Sequence, residues 1–311
     1  MLTIIFATYN GGDTLGQMLR RLCELTPPPV AYEILMVNNG STDVTVEVAQ
    51  AFAGNLPLKI LHENRRGKNR ALNHGLAHAQ GELLLFTDDD VLPDKDWLVK
   101  AWECAEQHPD VDLFGGRIMP FWQAEPSSEF LGAVPLTAAY GITPAELPEG
   151  PVTAGAIWGA NMFVRKRLFD RGFRFNENVG PGPGNYLMGS EVDFNQRMAS
   201  LGYRTWYCPG AIVRHIILEK ETTREWLKKR AYKFGKGTFA REWGDIKHGQ
   251  PTTLWGVQLN FPRWLIRKFI SEWLKAFKSR FFGNSSGELK HLWNAYDHLG
   301  RMVQGWNSRS S

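Results

Sequence analysis

Three acids in a row, Asp88-Asp89-Asp90, follow an apolar run in Phe86-Thr87-Asp88-Asp89-Asp90-Val91-Leu92-Pro93. Like charges this close repel, and keeping them ionised is costly unless a cation neutralises them. Hard carboxylate oxygens suit Mg²⁺ or Mn²⁺, which hold part of their water shell and bridge to substrate phosphates. The alternative is a solvated acidic turn. A second carboxylate cluster, Gly189-Ser190-Glu191-Val192-Asp193, opens a helical stretch far along the chain. Asp193 has Arg197 at i+4, so an ion pair along its own helix is its structural alternative. His215 closes a strand-like run after Arg214, where an imidazole serves either as a ligand or as a structural group.

These groups need elements to carry them. Residues 2–7, 33–37, 58–62 and 82–87 read as short buried strands. Helical spacing falls between them, at 13–25 (ended by Pro27-Pro28-Pro29), at the stretch capped by Asp43 through Phe52, and at 68–79 with Gly81 just beyond. Strand–helix alternation at this spacing predicts parallel strands joined by right-handed crossovers. Ligands bind such sheets at the carboxyl ends of the strands. That places Thr8, Asn38, Asn39 and Asp88 along one rim. Beyond it, 96–107 reads as a helix, 120–151 as irregular, and 160–164 as a strand. The Gly/Pro-rich stretch 178–189 reads as a lid, 191–201 as a helix, and 203–207 and 211–213 as strands. From about Thr222 the composition shifts to helices rich in Trp, Lys and Arg.

Four blocks now carry a resemblance: IIFATYNGGDTL at 4–15, EILMVNNGSTD at 33–43, GKNRALNHGLAHAQGELLLFTDDDVLP at 67–93, and GANMFVRKRLF at 159–169 followed by GSEVDFNQRMASLGYRTWYCPGAIVRH at 189–215. In order and spacing the chain resembles the glycosyltransferase family 2 proteins. The resemblance implies the GT-A fold: α/β, a Rossmann-like, mostly parallel sheet flanked by helices. Residues 1–218 would form the catalytic domain, with a nucleotide-sugar half at 1–116 and an acceptor half at 117–218. A basic, Trp-rich helical extension would occupy 219–311. It also implies metal-dependent, inverting transfer of a sugar from a nucleotide-diphospho-sugar, UDP-linked, to a hydroxyl of a glycan or lipid-linked acceptor. Thr8, Tyr9, Asn10 and the pair Asn38/Asn39 would hold the nucleoside, with Asn38 standing where the family usually has Asp. Lys68 lies in a GK…ALN pattern near the nucleotide; otherwise it is a surface lysine. The family's D-x-D corresponds to Asp88 and Asp90. Asp88 would face the ribose or the metal, Asp90 the metal, and Asp89 is the less defined member. One acid of the 189–193 cluster acts as the base: Glu191 by position, with Asp193 as the alternative. His215 would add a metal ligand or a phosphate contact. Trp158 and Asn161 fall in a block that lines the sugar or acceptor side in relatives, and Trp158 is equally suited to a core.

Composition bounds the rest. The 311 residues are 43% hydrophobic and 22% charged, with a net charge of +4, which is ordinary for a folded enzyme and excludes wholesale disorder. Cys23, Cys104 and Cys208 lie far apart in no metal-binding pattern, so no disulfide and a reducing, cytoplasmic setting are expected. No signal peptide or membrane-spanning run is read. Residues 263–282 (RWLIRKFISEWLKAFKSRFF) repeat Trp264, Leu265, Phe269, Ile270, Trp273, Leu274, Phe277 and Phe281 at helical steps opposite Lys and Arg. Such a helix either lies peripherally on an anionic membrane surface or packs on the protein. No nucleic-acid motif is present. A sugar-nucleotide pyrophosphorylase would want a basic residue in the loop after the first strand, and Ala7-Thr8-Tyr9-Asn10-Gly11-Gly12 has none. A non-catalytic nucleotide-sugar or glycan-binding module of the same fold would be expected to have lost the acids that this chain keeps.

Overall fold

A computed structural model describes residues 1–182, 187–243, 252–254, 257–259 and 261–307. It divides into two compact units. The first holds Met1–Phe121, Gly141–Asn185 and Ser190–Ile216; the second holds Trp122–Tyr140, Tyr186–Gly189 and Ile217–Ser311.

The first unit is built on strands β1 (Leu2–Thr8), β2 (Tyr32–Asn38), β3 (Leu58–His62) and β4 (Leu83–Phe86), with helices α1 (Leu15–Cys23), α2 (Thr45–Gln50) and α3 (Lys68–Leu76) between them. These strands pair in parallel in the order β3-β2-β1-β4. β1 and β4 are buried almost throughout, as expected of strands covered on both faces. The register sets Thr8 beside Asn38 and Asn38 beside His62, so the strand ends form one rim. The sheet continues through β8, β6, β9 and β5. The short β5 (Val91–Pro93) follows the acidic turn, and helix α4 (Trp97–Gln107) comes next, then β6 (Leu113–Trp122). In the second unit α5 (Ser128–Ala133) and α6 (Leu136–Tyr140) follow. β7 (Gly150–Pro151), β8 (Met162–Arg165), α7 (Arg167–Asp170), α8 (Ser190–Ser200) and β9 (Thr205–Ile217) complete the sheet and its cover. β8 runs antiparallel to β4, and β5 antiparallel to β9 with Val91 opposite His215.

A core cluster fixes α8 against the sheet. Phe194 is fully buried, its ring stacked on Phe169 at 5.4 Å and 4.8 Å from Phe175. Ile5, Leu35, Leu84 and Phe86 belong to the same cluster. The helix that carries Glu191 is therefore anchored one turn further on by a buried aromatic.

The second unit adds α9 (Arg224–Trp243), the antiparallel pair β10 (Thr252–Leu254) and β11 (Val257–Leu259), α10 (Trp264–Phe281) and α11 (Ser285–Asn307). α11 lies tight on α9: a Cβ at Gly300 would stand 2.1 Å from the Tyr232 carbonyl oxygen.

Several expectations are corrected. Residues 120–151 hold the end of β6, α5, α6 and β7 rather than an irregular stretch; the helices are too short to show a period. The strands expected at 203–207 and 211–213 are one strand that passes through Pro209-Gly210. The run from Thr222 includes a strand pair. Cys104 and Cys208 form a disulfide, their Cα atoms 6.3 Å apart across a sequence separation of 104. Packing of α4 against β9 makes that pair, and linear spacing carries no trace of it. The bond removes the reason for inferring a reducing compartment. Residues 183–186 of the expected lid lie outside the described residues.

Candidate active site

The rim begins with the turn after β1. Asn10 is the one described non-glycine residue with positive φ (52°), and the turn is tied to the loop after β2: its N–H donates to Ser41 Oγ at 3.0 Å, and its Oδ1 accepts from Thr42 N at 2.9 Å. Thr8 Oγ1 donates a short bond to Asp89 Oδ2. A Cβ at position 11 would stand 2.3 Å from Asp89 Oδ2 and 2.7 Å from Thr8 Oγ1, so any larger residue there must displace this pair. Tyr9 is half-exposed, with the Arg66 guanidinium 3.4 Å above its ring centre. Asn38 Oδ1 accepts from Ser41 N at 3.0 Å, and its Nδ2 lies 3.4 Å from His62 Nδ1.

Asn39 is buried, and its amide is used internally. It donates to the carbonyls of Glu63 and Arg65 at 2.8 and 2.9 Å and accepts from Gly67 N at 2.7 Å. It shapes the loop that delivers α3, and Lys68 is the first residue of that helix.

Each acid of the triplet faces a different partner. Asp88 pairs with Lys68, Asp89 with Thr8, and Asp90 Oδ2 with His215 Nε2 at 3.3 Å. The Asp90 carbonyl accepts from Ile216 N at 2.8 Å, which clamps the turn to β9. Burial first, and then the neighbouring Asp90 charge, raise the Asp89 carboxyl well above the usual carboxylate range. Burial acts the same way on Asp90, but His215 and then Lys68 outweigh it and hold that group below the usual range. Of the two neighbours, Asp90 is thus the more readily ionised.

Lys68 joins the two carboxylate clusters. Burial pushes its ammonium down, and the charges of Asp88, then Glu191, then Asp90 outweigh that and raise it. Glu191 lies against Gly159: a Cβ there would be 3.5 Å from its carboxylate. Glu191 thus shares an electrostatic neighbourhood with the triplet. Asp193 instead binds Arg197 on its own helix at 3.1 Å.

Asn161 does not line an open site. It is fully buried, donates to the carbonyls of Arg117 and Ala211 (both 2.9 Å) and accepts from Trp97 Nε1 at 2.9 Å. Trp158 is partly buried beside Gly141. Sequence reasoning passed over Gly11, His62 and Arg66. The available signal was the Arg65-Arg66 pair directly ahead of Gly67-Lys68.

A divalent cation fits the donors present. Asp90 Oδ1 is buried with no hydrogen-bond partner among the described residues, and hard oxygens beside one imidazole suit such an ion. Another set close enough to share an ion, Cys104, His108 and Glu149, has its sulfur committed to the disulfide.

Residues 3–173, more than half of the chain, match the family described as Glycosyl transferase family 2. The chain belongs to that family. It is accordingly a glycosyltransferase, an enzyme of the nucleotide-sugar-dependent class. Among curated relatives of this family, the glycosyltransferase AglE of Haloferax volcanii is 28% identical over 242 residues, covering 76% of this chain and 72% of that one. The uncharacterized glycosyltransferase YibD of Escherichia coli is 37% identical over 95 residues, 30% of this chain and 27% of that one. Two solved structures share the GT-A fold. The mannosyltransferase PcManGT from Pyrobaculum calidifontis, in complex with GDP-Man and Mn²⁺, has a TM-score of 0.64 at 21% identity, covering 98% of this chain and 87% of that one. Residues 1–349 of S. aureus TarS, in complex with UDP-GlcNAc, has a TM-score of 0.54 at 17% identity, covering 99% and 91%.

Proposed function

We propose that this family 2 enzyme transfers a sugar, with inversion, from a uridine-diphosphate donor to a hydroxyl of a glycan or lipid-linked acceptor, and that it uses Mg²⁺ or Mn²⁺. The supporting observation is the convergence of two carboxylate clusters, distant in sequence, on the Lys68 ammonium. One cluster would hold the donor diphosphate and its cation, and the other would face the incoming alcohol. The solved relatives bound to UDP-GlcNAc and to GDP-Man with Mn²⁺ are consistent with this reading.

Asp90 and Asp88 would hold the ion, with His215 as a further ligand or as the group that keeps Asp90 ionised. When bound, the ion neutralises charge on the leaving diphosphate. Asp89, hydrogen-bonded to Thr8, is poised to reach the ribose. Tyr9 and Asn10 form the nucleoside side of the turn, with Arg66 over Tyr9. Asn38, joined to His62, would present an amide edge to the base, while Asn39 orients the loop before Lys68. Lys68 would stabilise the diphosphate from α3. Glu191 would take the proton of the acceptor hydroxyl as it attacks the anomeric carbon, a contribution of roughly 10²–10⁴-fold in rate. A single base and a single displacement give inversion. Asp193 is occupied by Arg197 and would hold the helix rather than the proton. We also place residues 263–282 on an anionic membrane surface, which would bring a lipid-linked acceptor near.

Glu191→Gln tests the assignment. It should cut transfer by at least about 10²-fold while leaving the affinity for UDP-sugar with Mn²⁺ within a factor of a few, measured by calorimetry. Near-normal turnover by this variant would remove Glu191 from the mechanism.

A further inference from the structure

The helix at 263–282 was expected to have one apolar face. It has two. Leu265 and Ala276 are buried, as is Glu272, whose carboxylate is met by Lys275 at 2.8 Å and by His291 and Asn294 of α11 at 2.8 and 3.0 Å. That face packs within the second unit. On the other side Ile270, Trp273, Leu274, Phe277 and Phe281 remain 50–77% exposed, and Phe282 follows at 70%. At about 100° per residue these α10 side chains fall within a single stripe roughly 100° wide. Trp273 and Phe277 lie near-parallel with ring centres 6.3 Å apart, so their rings form one continuous apolar ridge. Scattered exposed apolar residues need no explanation, but a contiguous aromatic ridge does.

Charge indicates what covers it. Every exposed charge from 263 to 282 is positive: Arg263, Arg267, Lys268, Lys275, Lys278 and Arg280. Helical spacing sets Arg267 and Lys278 along one border of the stripe and Arg280 along the other. Beside the ridge, between α9, α10 and α11, lies a cleft of about 700 Å³. Trp273 and Phe277 form its apolar wall, and Arg224, Lys228 and Arg280 its basic one. Two acids also line it. Glu225 is held by Lys228 at 2.7 Å, and the buried Glu288 is shared by Arg224 at 2.9 Å and Arg280 at 4.0 Å. Two guanidiniums on one carboxylate leave one positive charge uncompensated, with donor edges exposed to a second oxyanion. No described helix is long and apolar enough to cross a bilayer.

We propose that α10 lies in the plane of an anionic phospholipid bilayer. The Ile270–Phe281 stripe enters the acyl boundary, and a lipid phosphate enters the cleft onto Arg224 and Arg280. Aromatic side chains bordered by Lys and Arg match the two layers of a membrane interface, apolar below and anionic above. A protein partner would be expected to meet this helix with acids, and a second copy would bring like charges together. The inference refines the membrane placement made above, and it stands apart from the chemistry at Glu191.

The test uses the full chain in flotation with vesicles of phosphatidylcholine alone or with 30% phosphatidylglycerol, at low and high salt, without donor. Binding should require the anionic lipid and weaken with salt. Trp273→Ser with Phe277→Ser, both at exposed positions, should reduce binding more than tenfold with an unchanged melting temperature. Arg267→Gln with Lys278→Gln, both on the border of the stripe, should reduce it by roughly fivefold per charge on anionic vesicles. Arg224→Gln should lower anionic-lipid binding while leaving the ridge intact. Glycerol phosphate at millimolar concentration should not displace the protein; displacement would mean that the cleft takes a free phosphate. Equal flotation of the Trp273/Phe277 variant, or a wild-type dimer that this variant makes monomeric, would overturn the proposal. Glu191→Gln should float as wild type does, so failure of transfer and failure of membrane binding are read separately.

Discussion

Replacing Asn161 by Leu tests whether this residue supports the site or touches the sugar. Three hydrogen bonds of the buried amide disappear, leaving Trp97 Nε1, the Arg117 carbonyl and the Ala211 carbonyl without it. An unsatisfied buried polar group costs about 1–3 kcal/mol. Carbonyls hold a second lone pair, so the two oxygens count near the low end and the indole N–H nearer the middle. The sum is about 3–5 kcal/mol, on the order of 10 °C in Tm. Leucine is close in volume, so no cavity term is added. The summed fluorescence of the chain's 12 tryptophans, Trp97 among them, should follow a urea transition displaced to lower concentration. Where enough protein stays folded, the acceptor KM should stay near wild type. A stability loss below about 1 kcal/mol together with a raised acceptor KM would refute the structural role and return Asn161 to the sugar side.

Lys68→Met should weaken nucleotide-diphosphate binding by at least roughly tenfold, as expected for losing a charge-assisted contact, and calorimetry with and without Mn²⁺ checks it. Thiol titration of the unfolded, unreduced protein should find only Cys23 reactive, and Cys208→Ser should lower the unfolding free energy by about 2–5 kcal/mol in a urea titration. Glu272 titrates at about 2 in the folded chain: burial opposes ionisation, but Lys275, His291 and Asn294 outweigh it. Because this folded value lies below the unfolded one, its stabilisation is complete above the ordinary carboxylate range and fades as pH falls toward 2. Helical circular dichroism followed from pH 6 to 2 should therefore be less acid-sensitive in Glu272→Gln, which starts out less stable.

The sequence by itself determined the parallel half of the sheet and its rim. Apolar runs at β1, β2, β3 and β4 alternate with helical spacing, and that local pattern has one economical packing, which brings Thr8, Asn38 and the Asp88–Asp90 turn to the same edge. It also exposed the acids themselves, since three adjacent carboxylates behind a buried strand are conspicuous in any context. Tertiary structure decided what each of those groups faces. Asn38 and Asn39 are the same residue type side by side, yet one is joined to His62 and the other is spent on the 63–67 loop. Asp89 and Asp90 are buried alike and differ in their neighbours, and their carboxyl pKa values are shifted in opposite directions. The Cys104–Cys208 bond, the convergence of Glu191 on Lys68 and the second, uncovered face of α10 all depend on segments far apart in the chain. Periodicity and composition report local preference, whereas these features arise from side chains that meet only after the chain has closed on itself.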